Sequence, residues 1–215
     1  MNTTLSNNLH ILPATYECKE YIPRLLHLIW VGTQEPPAYF HKHVETWKTL
    51  MPSWNVRVWT NEDICPQEFP NSLLERIQMS TKGAQKADIM RYCILEKYGG
   101  VYMDADVIPN RSLEPILSLA PVVLCHDLPV TWAYISIGFF ASVPHHPLFQ
   151  KACELCLTAK VNTPDIHLFT GPRLFGEALS SIAMNTRAVV LPPHYFYRNK
   201  DVPTRFGTHT YAKQW

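Results

Sequence analysis

Residues 84–107 read AQKADIMRYCILEKYGGVYMDADV. Apolar and aromatic residues recur three and four positions apart as far as Tyr98, a spacing that predicts an amphipathic helix. Gly99 and Gly100 end this helix and turn the chain. The apolar run 101–107 then predicts a short strand. This order of helix, glycine turn and strand favours an α/β fold, in which such units repeat.

The two carboxylates at the end of this strand indicate a metal site. Side chains alternate along a strand, so we expect Asp104 and Asp106 to share one face, with Ala105 on the other. Two carboxylates on one face repel each other unless a cation lies near them. A hard divalent ion with oxygen ligands meets that need, and proteins often share such ions with substrate phosphates. An isolated D-x-D triplet is nevertheless frequent by chance.

Asp88 and Arg91 form a second pair of charged residues on the predicted helix. They lie three positions apart and therefore share a helix face. One interpretation is an ordinary surface ion pair. The other is a functional pair, since both residues lie in an otherwise apolar neighbourhood. The spacing alone leaves both interpretations open.

The whole stretch resembles the signature of the DXD-type sugar-transferring enzymes, glycosyltransferase family 32 and its relatives. That signature is A-x-x-x-D-x-x-R-Y-x-x-L-x-x-Y-G-G-x-Y-x-D-x-D. The matching positions here are Ala84, Asp88, Arg91, Tyr92, Leu95, Tyr98, Gly99, Gly100, Tyr102, Asp104 and Asp106. The resemblance implies the fold known as GT-A, a single mixed, mostly parallel sheet flanked by helices.

A second similarity lies upstream, where residues 22–32 read IPRLLHLIWVG and resemble the family's opening IPKxIHxIWxG. The run predicts a buried first strand that ends in an aromatic residue and a glycine. Ligands of open α/β sheets bind at the carboxyl ends of strands. We therefore expect Trp30, Val31 and Gly32 to contact the substrate, with the indole against a nucleoside base. A tryptophan in the hydrophobic core is the alternative.

The closing residues 209–215, HTYAKQW, resemble the family's ending H-x-x-x-G-S-W. His209 and Trp215 keep their spacing, whereas Lys213 and Gln214 replace the glycine and serine. The resemblance implies that this tail covers the donor, with His209 as a metal ligand and Trp215 in contact with substrate. The alternative for His209 is an exposed residue in a frayed terminus.

Weaker similarities connect these motifs. Residues 136–147 resemble the family element N-x-x-x-A-S-x-P-x-H-P, without its asparagine, in a region that faces the acceptor in relatives. Gly171 and Pro172 match a T-G-P helix start and are expected near the substrate. Residues 193–198 resemble the family element that ends in FYP.

The resemblance implies a retaining, metal-dependent glycosyltransferase that moves a sugar from a UDP- or GDP-linked donor to a glycan, a polysaccharide or another acceptor. Asp106 and Asp104 are expected to bind Mn²⁺ or Mg²⁺, and Asp104 also to approach the donor. Asp88 and Arg91 would hold the sugar, while Tyr102 would line the nucleoside together with the Trp30 indole. Since no second carboxylate stands out as a nucleophile, front-side attack is favoured by analogy.

Two other function classes remain open. One is a toxin-like protein glycosyltransferase, because glucosylating bacterial toxins share the tryptophan, Asp/Arg and DXD elements. The other is a non-catalytic module that binds nucleotide sugars. Such a module would be expected to lose one of its four charged site residues, which are all present here.

Composition fits a compact enzyme. The 215 residues are 47% hydrophobic with a formal net charge of +1, and this near-neutral charge argues against a nucleic-acid partner. No run approaches 18 apolar residues, so no membrane span is expected. Residues 1–20 resemble no signal peptide and are expected to be a flexible lead-in to a single domain over 21–215. A cytoplasmic bacterial or viral enzyme, or an excised domain, is the expectation.

The six cysteines are expected to be reduced, and the single C-x-x-C at Cys153 and Cys156 is weak evidence for zinc. Periodicity and turn residues predict alternating strands and helices. The predicted strands are 25–31, 55–60, 101–107, 122–126, 135–141 and 188–191. The predicted helices are 38–50, 72–98, 113–119, 147–159 and 172–184.

Overall fold

The computed structural model describes residues 10–11, 21–127, 135–182, 187–197 and 205–212. The strands are β1 (His10–Ile11), β2 (Leu25–Ile29), β3 (Asn55–Trp59), β4 (Gly100–Met103), β5 (Val107–Pro109), β6 (Val122–Cys125), β7 (Phe139–Ser142), β8 (Ala188–Leu191) and β9 (Gly207–His209). The helices are α1 (Ala38–Leu50), α2 (Asn71–Met79), α3 (Gly83–Tyr98), α4 (Pro147–Thr158), α5 (Ile166–Phe169) and α6 (Pro172–Ile182). None of the helices in these ranges combines the length and the apolar character needed to span a bilayer.

The main sheet has the order β1-β8-β6-β7-β4-β2-β3. Pairs β2–β3, β2–β4 and β6–β8 are parallel, whereas β4–β7, β6–β7 and the short β1–β8 pair are antiparallel. Parallel pairs thus form the majority within β2–β8, which confirms the predicted mixed α/β sheet. Because β2 and β4 are parallel neighbours, their carboxyl ends lie at the same edge. That edge carries the predicted site residues of both strands.

Alternation along the strands separates two hydrophobic clusters. Tyr102 points into the cluster formed by α2, α3, α4 and α6. Its neighbours Val101 and Met103 point into the other, which contains α1 and the aromatic residues of the C-terminal region. The sheet is therefore covered on both faces, as strands with continuous apolar sequence require.

The strand predicted over 101–107 is shorter than expected. β4 ends at Met103, and residues 104–106 form a turn. Asp104 N–H donates to Gly138 O at 2.9 Å, and Val107 leaves the main sheet to pair with His209 in the separate β5–β9 ribbon. Asp104 and Asp106 therefore share a turn rather than a strand face, so the alternation argument for them was wrong.

Two helix predictions also need correction. Residues 72–98 form two helices, because Asn162 binds the segment between them: its Oδ1 accepts from Thr81 N–H at 2.7 Å and its Nδ2 donates to Met79 O at 2.8 Å. Residues 113–119 form only a 3₁₀ turn over Glu114–Ile116. Pro121 disfavours helical geometry at the residue before it.

The remaining boundaries differ by a few residues. The strand predicted over 135–141 is β7, which starts at Phe139, and Ile135 makes only a single bridge to His126. The short elements β1, β5, β9 and α5 were not predicted. Most of the expected lead-in 1–20 lies outside the described residues, apart from His10–Ile11, which pair with β8.

Candidate metal and donor site

Asp104 receives hydrogen bonds from three elements of the fold. Its Oδ1 accepts from the Tyr102 hydroxyl at 2.6 Å and lies 3.3 Å from Arg91 Nη1. Its Oδ2 lies 3.2 Å from His209 Nε2. Burial alone raises the pKa of the Asp104 carboxyl, but the Arg91 charge and the hydrogen bonds from His209 and Tyr102 lower it below its ordinary value. The side chain is therefore a carboxylate at neutral pH.

Asp106 binds the C-terminal segment 207–212. Its Oδ1 lies 3.3 Å from His209 Nε2, and its Oδ2 accepts from Ala212 N–H at 2.8 Å. Thr210 Oγ1 donates to the Asp106 backbone carbonyl at 3.0 Å. Segment 207–212 thus folds over the DXD turn through its pairing with β5. The predicted substrate residue Trp215 lies outside the described residues.

Asp104, Asp106 and His209 can together hold a metal ion. They offer two carboxylate oxygens and one imidazole nitrogen, all within 4.8 Å of one another. Carboxylates suit Mg²⁺ and Mn²⁺, and imidazole suits the transition metals. The donor set therefore fits Mn²⁺ well and Mg²⁺ acceptably.

The hydrogen bonds of His209 define its tautomer in the absence of an ion. Tyr211 N–H donates to His209 Nδ1 at 3.0 Å, so Nε2 carries the proton that faces the two carboxylates. Burial lowers the pKa of His209, but the hydrogen bond and charge of Asp104 and the charge of Asp106 raise it above its ordinary value. Metal ligation through Nε2 requires that proton to leave and the Tyr211 contact to loosen.

Asp88 and Arg91 form the predicted i,i+3 ion pair, but not on the surface. Asp88 Oδ1 lies 2.9 Å from Arg91 Nη2, and both side chains are less than 10% exposed. Thr170 Oγ1 donates to Asp88 Oδ2 at 3.0 Å, and Arg91 Nη1 donates to Ile137 O at 2.7 Å. The interpretation as a surface ion pair is therefore wrong, because Asp88 and Arg91 both lie on the buried part of α3. The pair connects to the metal candidates through Asp104.

The predicted nucleoside residues follow β2 at the same sheet edge. Trp30 is 7% exposed, packs on Phe40 with ring centroids 5.5 Å apart, and donates from Nε1 to Gln34 O at 2.7 Å. Asn61 binds both backbone groups of Gly32, at 3.0 and 2.8 Å. Val31 is buried. These contacts fix the segment in place, and its contact with a nucleoside stays a prediction.

The other predicted substrate residues lie deeper. Tyr102 has no exposed surface, so this structure shows it supporting Asp104, and a contact with a ligand stays a prediction. The Tyr92 hydroxyl donates to Thr170 O at 2.9 Å, which holds the turn before Gly171 and Pro172. The same turn supplies the Thr170 hydroxyl to Asp88. The turn before Gly171 and Pro172 therefore contributes to the site through the Thr170 hydroxyl, and Thr170 was not predicted as a site residue.

Two further residues near the metal candidates, Asp127 and Tyr197, were not predicted. Asp127 follows β6 and accepts from the Tyr211 hydroxyl at 2.7 Å, and its charge contributes to the raised pKa of His209. Asp127 directly follows a buried strand, and ligands of open α/β sheets bind at such strand ends, so its position in the sequence could have indicated a site residue. Tyr197 contacts the His209 ring at 5.4 Å between centroids, and nothing in its sequence pattern indicated this.

The described cysteines belong to no group of converging metal-ligand atoms. Five lie in the described part of the chain, and all are free thiols. Cys153 Sγ lies 3.8 Å from Cys93 Sγ, between α4 and α3. Among the described residues, the three metal candidates above are the group whose ligand atoms converge, so the structure does not support zinc at the C-x-x-C.

Comparison with known proteins gives a family match over residues 37–122, to the glycosyltransferase sugar-binding region containing a DXD motif. An uncharacterized glycosyltransferase of Acanthamoeba polyphaga mimivirus is 25% identical over 90% of this chain and 84% of its own length. Inositol phosphoceramide mannosyltransferase 1 of Schizosaccharomyces pombe is 28% identical over 91% of this chain. A mannosyl phosphorylinositol ceramide synthase of Saccharomyces cerevisiae is 31% identical over 63% of this chain. This chain covers 63% and 35% of the lengths of these two fungal relatives.

Solved structures with a similar fold are also glycosyltransferases. The PaToxG glycosyltransferase superposes with a TM-score of 0.59 at 19% identity, over 75% of this chain and 70% of its own. A glycosyltransferase involved in glycosylation of the major capsid of PBCV-1 has a TM-score of 0.50 at 13% identity, over 87% of this chain and 93% of its own. At these identities, the similarity shows the fold alone.

Proposed function

We propose that this chain, a glycosyltransferase with a DXD-containing sugar-binding region, transfers a sugar from a UDP- or GDP-linked donor to a glycan or other acceptor with retention of configuration. The convergence of Asp104, Asp106 and His209 at one edge of the sheet carries the proposal. The two carboxylates repel each other, and a cation beside them would relieve that repulsion. A diphosphate supplies the remaining oxygen ligands of such a cation.

Asp104, Asp106 and His209 would hold Mn²⁺ or Mg²⁺. The ion would act as a Lewis acid on the diphosphate leaving group. The protein residues fix its position: Tyr102 and Arg91 hold the Asp104 carboxylate, so a ligand atom is preorganised before the donor arrives. Such preorganised charge stabilises the transition state without reorganisation during the reaction.

Arg91 would stabilise the negative charge that develops as the sugar leaves. Its guanidinium is buried and touches both Asp88 and Asp104, and a cation screened from water acts more strongly than one at the surface. Asp88 would accept hydrogen bonds from hydroxyls of the sugar. These roles stay proposals, as does the stacking of the base on Trp30.

Retention by front-side attack is the finer part of the proposal. Asp127 is a carboxylate that the sequence analysis did not consider, and it lies close enough to His209 to influence its pKa. An Asp127 nucleophile would give retention through a covalent intermediate, and an Asp127 general base would give inversion. Loss of turnover in Asp127→Asn, together with a glycosyl adduct in mass spectra of the parent, would support the covalent route over front-side attack. An inverted product would exclude retention.

Turnover of candidate donors tests the function. The protein is incubated with a panel of UDP- and GDP-sugars and Mn²⁺, with and without acceptors, and nucleotide release is followed. The panel includes GDP-mannose with inositol phosphoceramide, because the names of the fungal relatives specify mannose transfer to that lipid. We expect release with one donor, dependent on Mn²⁺ and abolished by EDTA.

The alternatives give different results in the same assay. A non-catalytic module would bind a nucleotide sugar with Mn²⁺ and never release nucleotide. A toxin-like enzyme would modify a protein acceptor and leave glycans unchanged. The proposed cytoplasmic location can be examined separately by fractionation of the source cells.

A further inference from the structure

The Tyr197 hydroxyl is a buried polar group without a hydrogen bond. The side chain is 1% exposed, and its hydroxyl has no partner in hydrogen-bond geometry within the described residues. Ser136 lies near enough for its side chain to lower the pKa of Tyr197, but the two hydroxyls do not meet hydrogen-bond geometry, and Ser136 Oγ accepts from Gly138 N–H at 3.1 Å. A buried hydroxyl left unpaired destabilises the folded protein. Such a group often marks a place where a ligand supplies the missing partner.

The hydroxyl lies beside the metal-site carboxylate. A Cβ added at Gly138 would lie 2.7 Å from Asp104 Oδ2 and 3.0 Å from Tyr197 Oη. The two oxygens therefore converge on one point. Asp104 Oδ2 is also the oxygen that faces His209 Nε2. The unpaired hydroxyl thus adjoins the atoms that would hold the metal ion.

The phenol is a hydrogen-bond donor at neutral pH. Burial raises the pKa of Tyr197, and the negative charges of Asp104 and Asp127 add to this effect. The rings of His209 and Tyr211 lie near the phenol, at 5.4 and 6.4 Å between centroids. Both belong to segment 207–212. A ligand that lies between Asp104 and this segment is therefore within reach of the hydroxyl.

We propose that Tyr197 binds the donor by donating a hydrogen bond from Oη to a diphosphate oxygen. The inference rests on the proposed function, since it requires a nucleoside diphosphate at the Asp104 carboxylate. A neutral sugar hydroxyl would be the weaker acceptor of the two. Hydrogen bonds to charged groups contribute more than those between neutral groups, so the diphosphate gains most from this donor.

Tyr197→Phe tests the proposal, because it removes one oxygen and keeps the ring. Isothermal titration measures the affinity of Mn²⁺ alone, of UDP and GDP with Mn²⁺, and of the turned-over nucleotide sugar. We expect affinity for the nucleoside diphosphate to fall about tenfold, affinity for Mn²⁺ alone to stay unchanged, and the melting temperature of the free protein to stay equal or rise. The melting temperature should not fall, because the mutation removes a buried polar group that has no hydrogen bond.

Two matched variants calibrate the measurements. Tyr195→Phe deletes a hydroxyl from a tyrosine that is also buried and lies two residues away, and we expect it to keep parental nucleotide affinity. Tyr92→Phe deletes a hydroxyl with a clear hydrogen bond and should lower the melting temperature.

Each other outcome overturns the inference. Unchanged diphosphate affinity in Tyr197→Phe would make the phenol a packing residue. A lower affinity for Mn²⁺ alone would show that Tyr197 acts on the metal ion. A lower affinity for the nucleotide sugar, with parental affinity for UDP and GDP, would show that Tyr197 contacts the sugar. A lower melting temperature would show that the hydroxyl is paired in the free protein. If the parent binds neither UDP nor GDP with Mn²⁺, the proposed function itself fails, which is a distinct result.

Discussion

Arg91 Nη1 lies 3.3 Å from Asp104 Oδ1, so the guanidinium on α3 contacts the carboxylate that follows β4. The same guanidinium lies 4.6 Å from the Tyr102 ring centroid and pairs with Asp88 on its own helix. One buried cation thus balances two carboxylates, and Asp106 remains as a third. His209 Nε2 offsets the charge of Asp104 and Asp106 in part, at 3.2 and 3.3 Å, and a metal ion beside these carboxylates would offset it further.

Asp106→Ala should abolish metal-dependent turnover and leave the protein folded. It removes one of the three convergent ligand groups, together with hydrogen bonds from segment 207–212. Titration of Mn²⁺ should show the loss of binding, and circular dichroism should report the parental fold. Glu45→Ala removes an equal charge from an exposed i,i+3 pair and should change neither. Full activity of Asp106→Ala, or of the parent protein in EDTA, would exclude a metal role for this residue.

Asp88→Asn should reduce turnover at least tenfold, about 1.4 kcal/mol of barrier, and also lower stability. Removing one charge of a buried ion pair costs roughly 3–5 kcal/mol, and the amide recovers part of this through Thr170. Binding of free nucleotide should be nearly intact, because the carboxylate is proposed to hold the sugar.

The exposed pair Lys151–Glu154 provides the matched control for Asp88→Asn. Glu154→Gln should change the free energy of unfolding by only about 0.2–0.5 kcal/mol. Parental affinity for both nucleotide and nucleotide sugar in a folded Asp88→Asn protein, with parental turnover, would move the sugar subsite elsewhere.

Local sequence predicted α3 and its glycine stop well. Leu95 O accepts from Gly99 N–H at 3.0 Å, and Gly99 has φ 60°, as the glycine pattern indicated. It also predicted that Trp30 and Asp104 each follow a buried strand, and the structure shows these strands, β2 and β4, to be parallel neighbours. These features depend on residues close together in the chain, where periodicity is informative.

Features that depend on distant residues could not be predicted from periodicity. His209 reaches Asp104 only because β9 pairs with β5, and strands of three residues give no clear alternation. The resemblance to a family, not the residue pattern, indicated His209. The unpaired Tyr197 hydroxyl and the buried Asp88–Arg91 pair likewise depend on packing between separate elements.

Trp30→Phe should raise the donor KM more than it lowers kcat, if the indole stacks on the base. Base–aromatic stacking contributes about 1–3 kcal/mol, and base binding is largely the same in the ground and transition states. Phenylalanine is preferred to alanine here because Trp30 is buried and packs on Phe40.

The control for Trp30→Phe is Trp54→Phe, which removes another buried indole whose Nε1 donates a hydrogen bond, to Glu114 at 2.8 Å. Nucleotide titration followed by tryptophan fluorescence compares the two variants. Equal donor affinity in both would assign Trp30 to the core alone.

The free energy of unfolding should fall as the pH is lowered from 6.5 towards 4. Burial lowers the pKa of His27 to about 4. Its Nε2 donates to Gly99 O at 2.9 Å, and its Nδ1 accepts from Trp59 Nε1 at 3.2 Å. An unfolded histidine titrates near its ordinary value, so between these two pH values the unfolded state binds the extra proton. The loss is at most about 1.4 kcal/mol per pH unit for each such group.

His146, whose pKa burial also lowers to about 4, should contribute a similar slope. Urea unfolding at pH 7.0, 6.0 and 5.0 measures the dependence. His27→Gln should lower stability at pH 7.0 and flatten the pH dependence between 6.5 and 5. A variant whose stability varies with pH as steeply as that of the parent would show that His27 is not held neutral.

Gly138→Ala should weaken Mn²⁺ binding at least tenfold. The added methyl group would lie 2.7 Å from Asp104 Oδ2, and the carboxylate cannot yield easily because Tyr102 and Arg91 hold its other oxygen. Overpacking of this kind costs about 1–3 kcal/mol.

Gly176→Ala is the matched control. It adds the same methyl group to α6, where nothing lies within 4 Å of it, and should raise stability by up to about 1 kcal/mol. Thermal unfolding and Mn²⁺ titration of both variants measure these opposite effects. Parental Mn²⁺ affinity in Gly138→Ala would mean that the position of Asp104 Oδ2 does not limit metal binding.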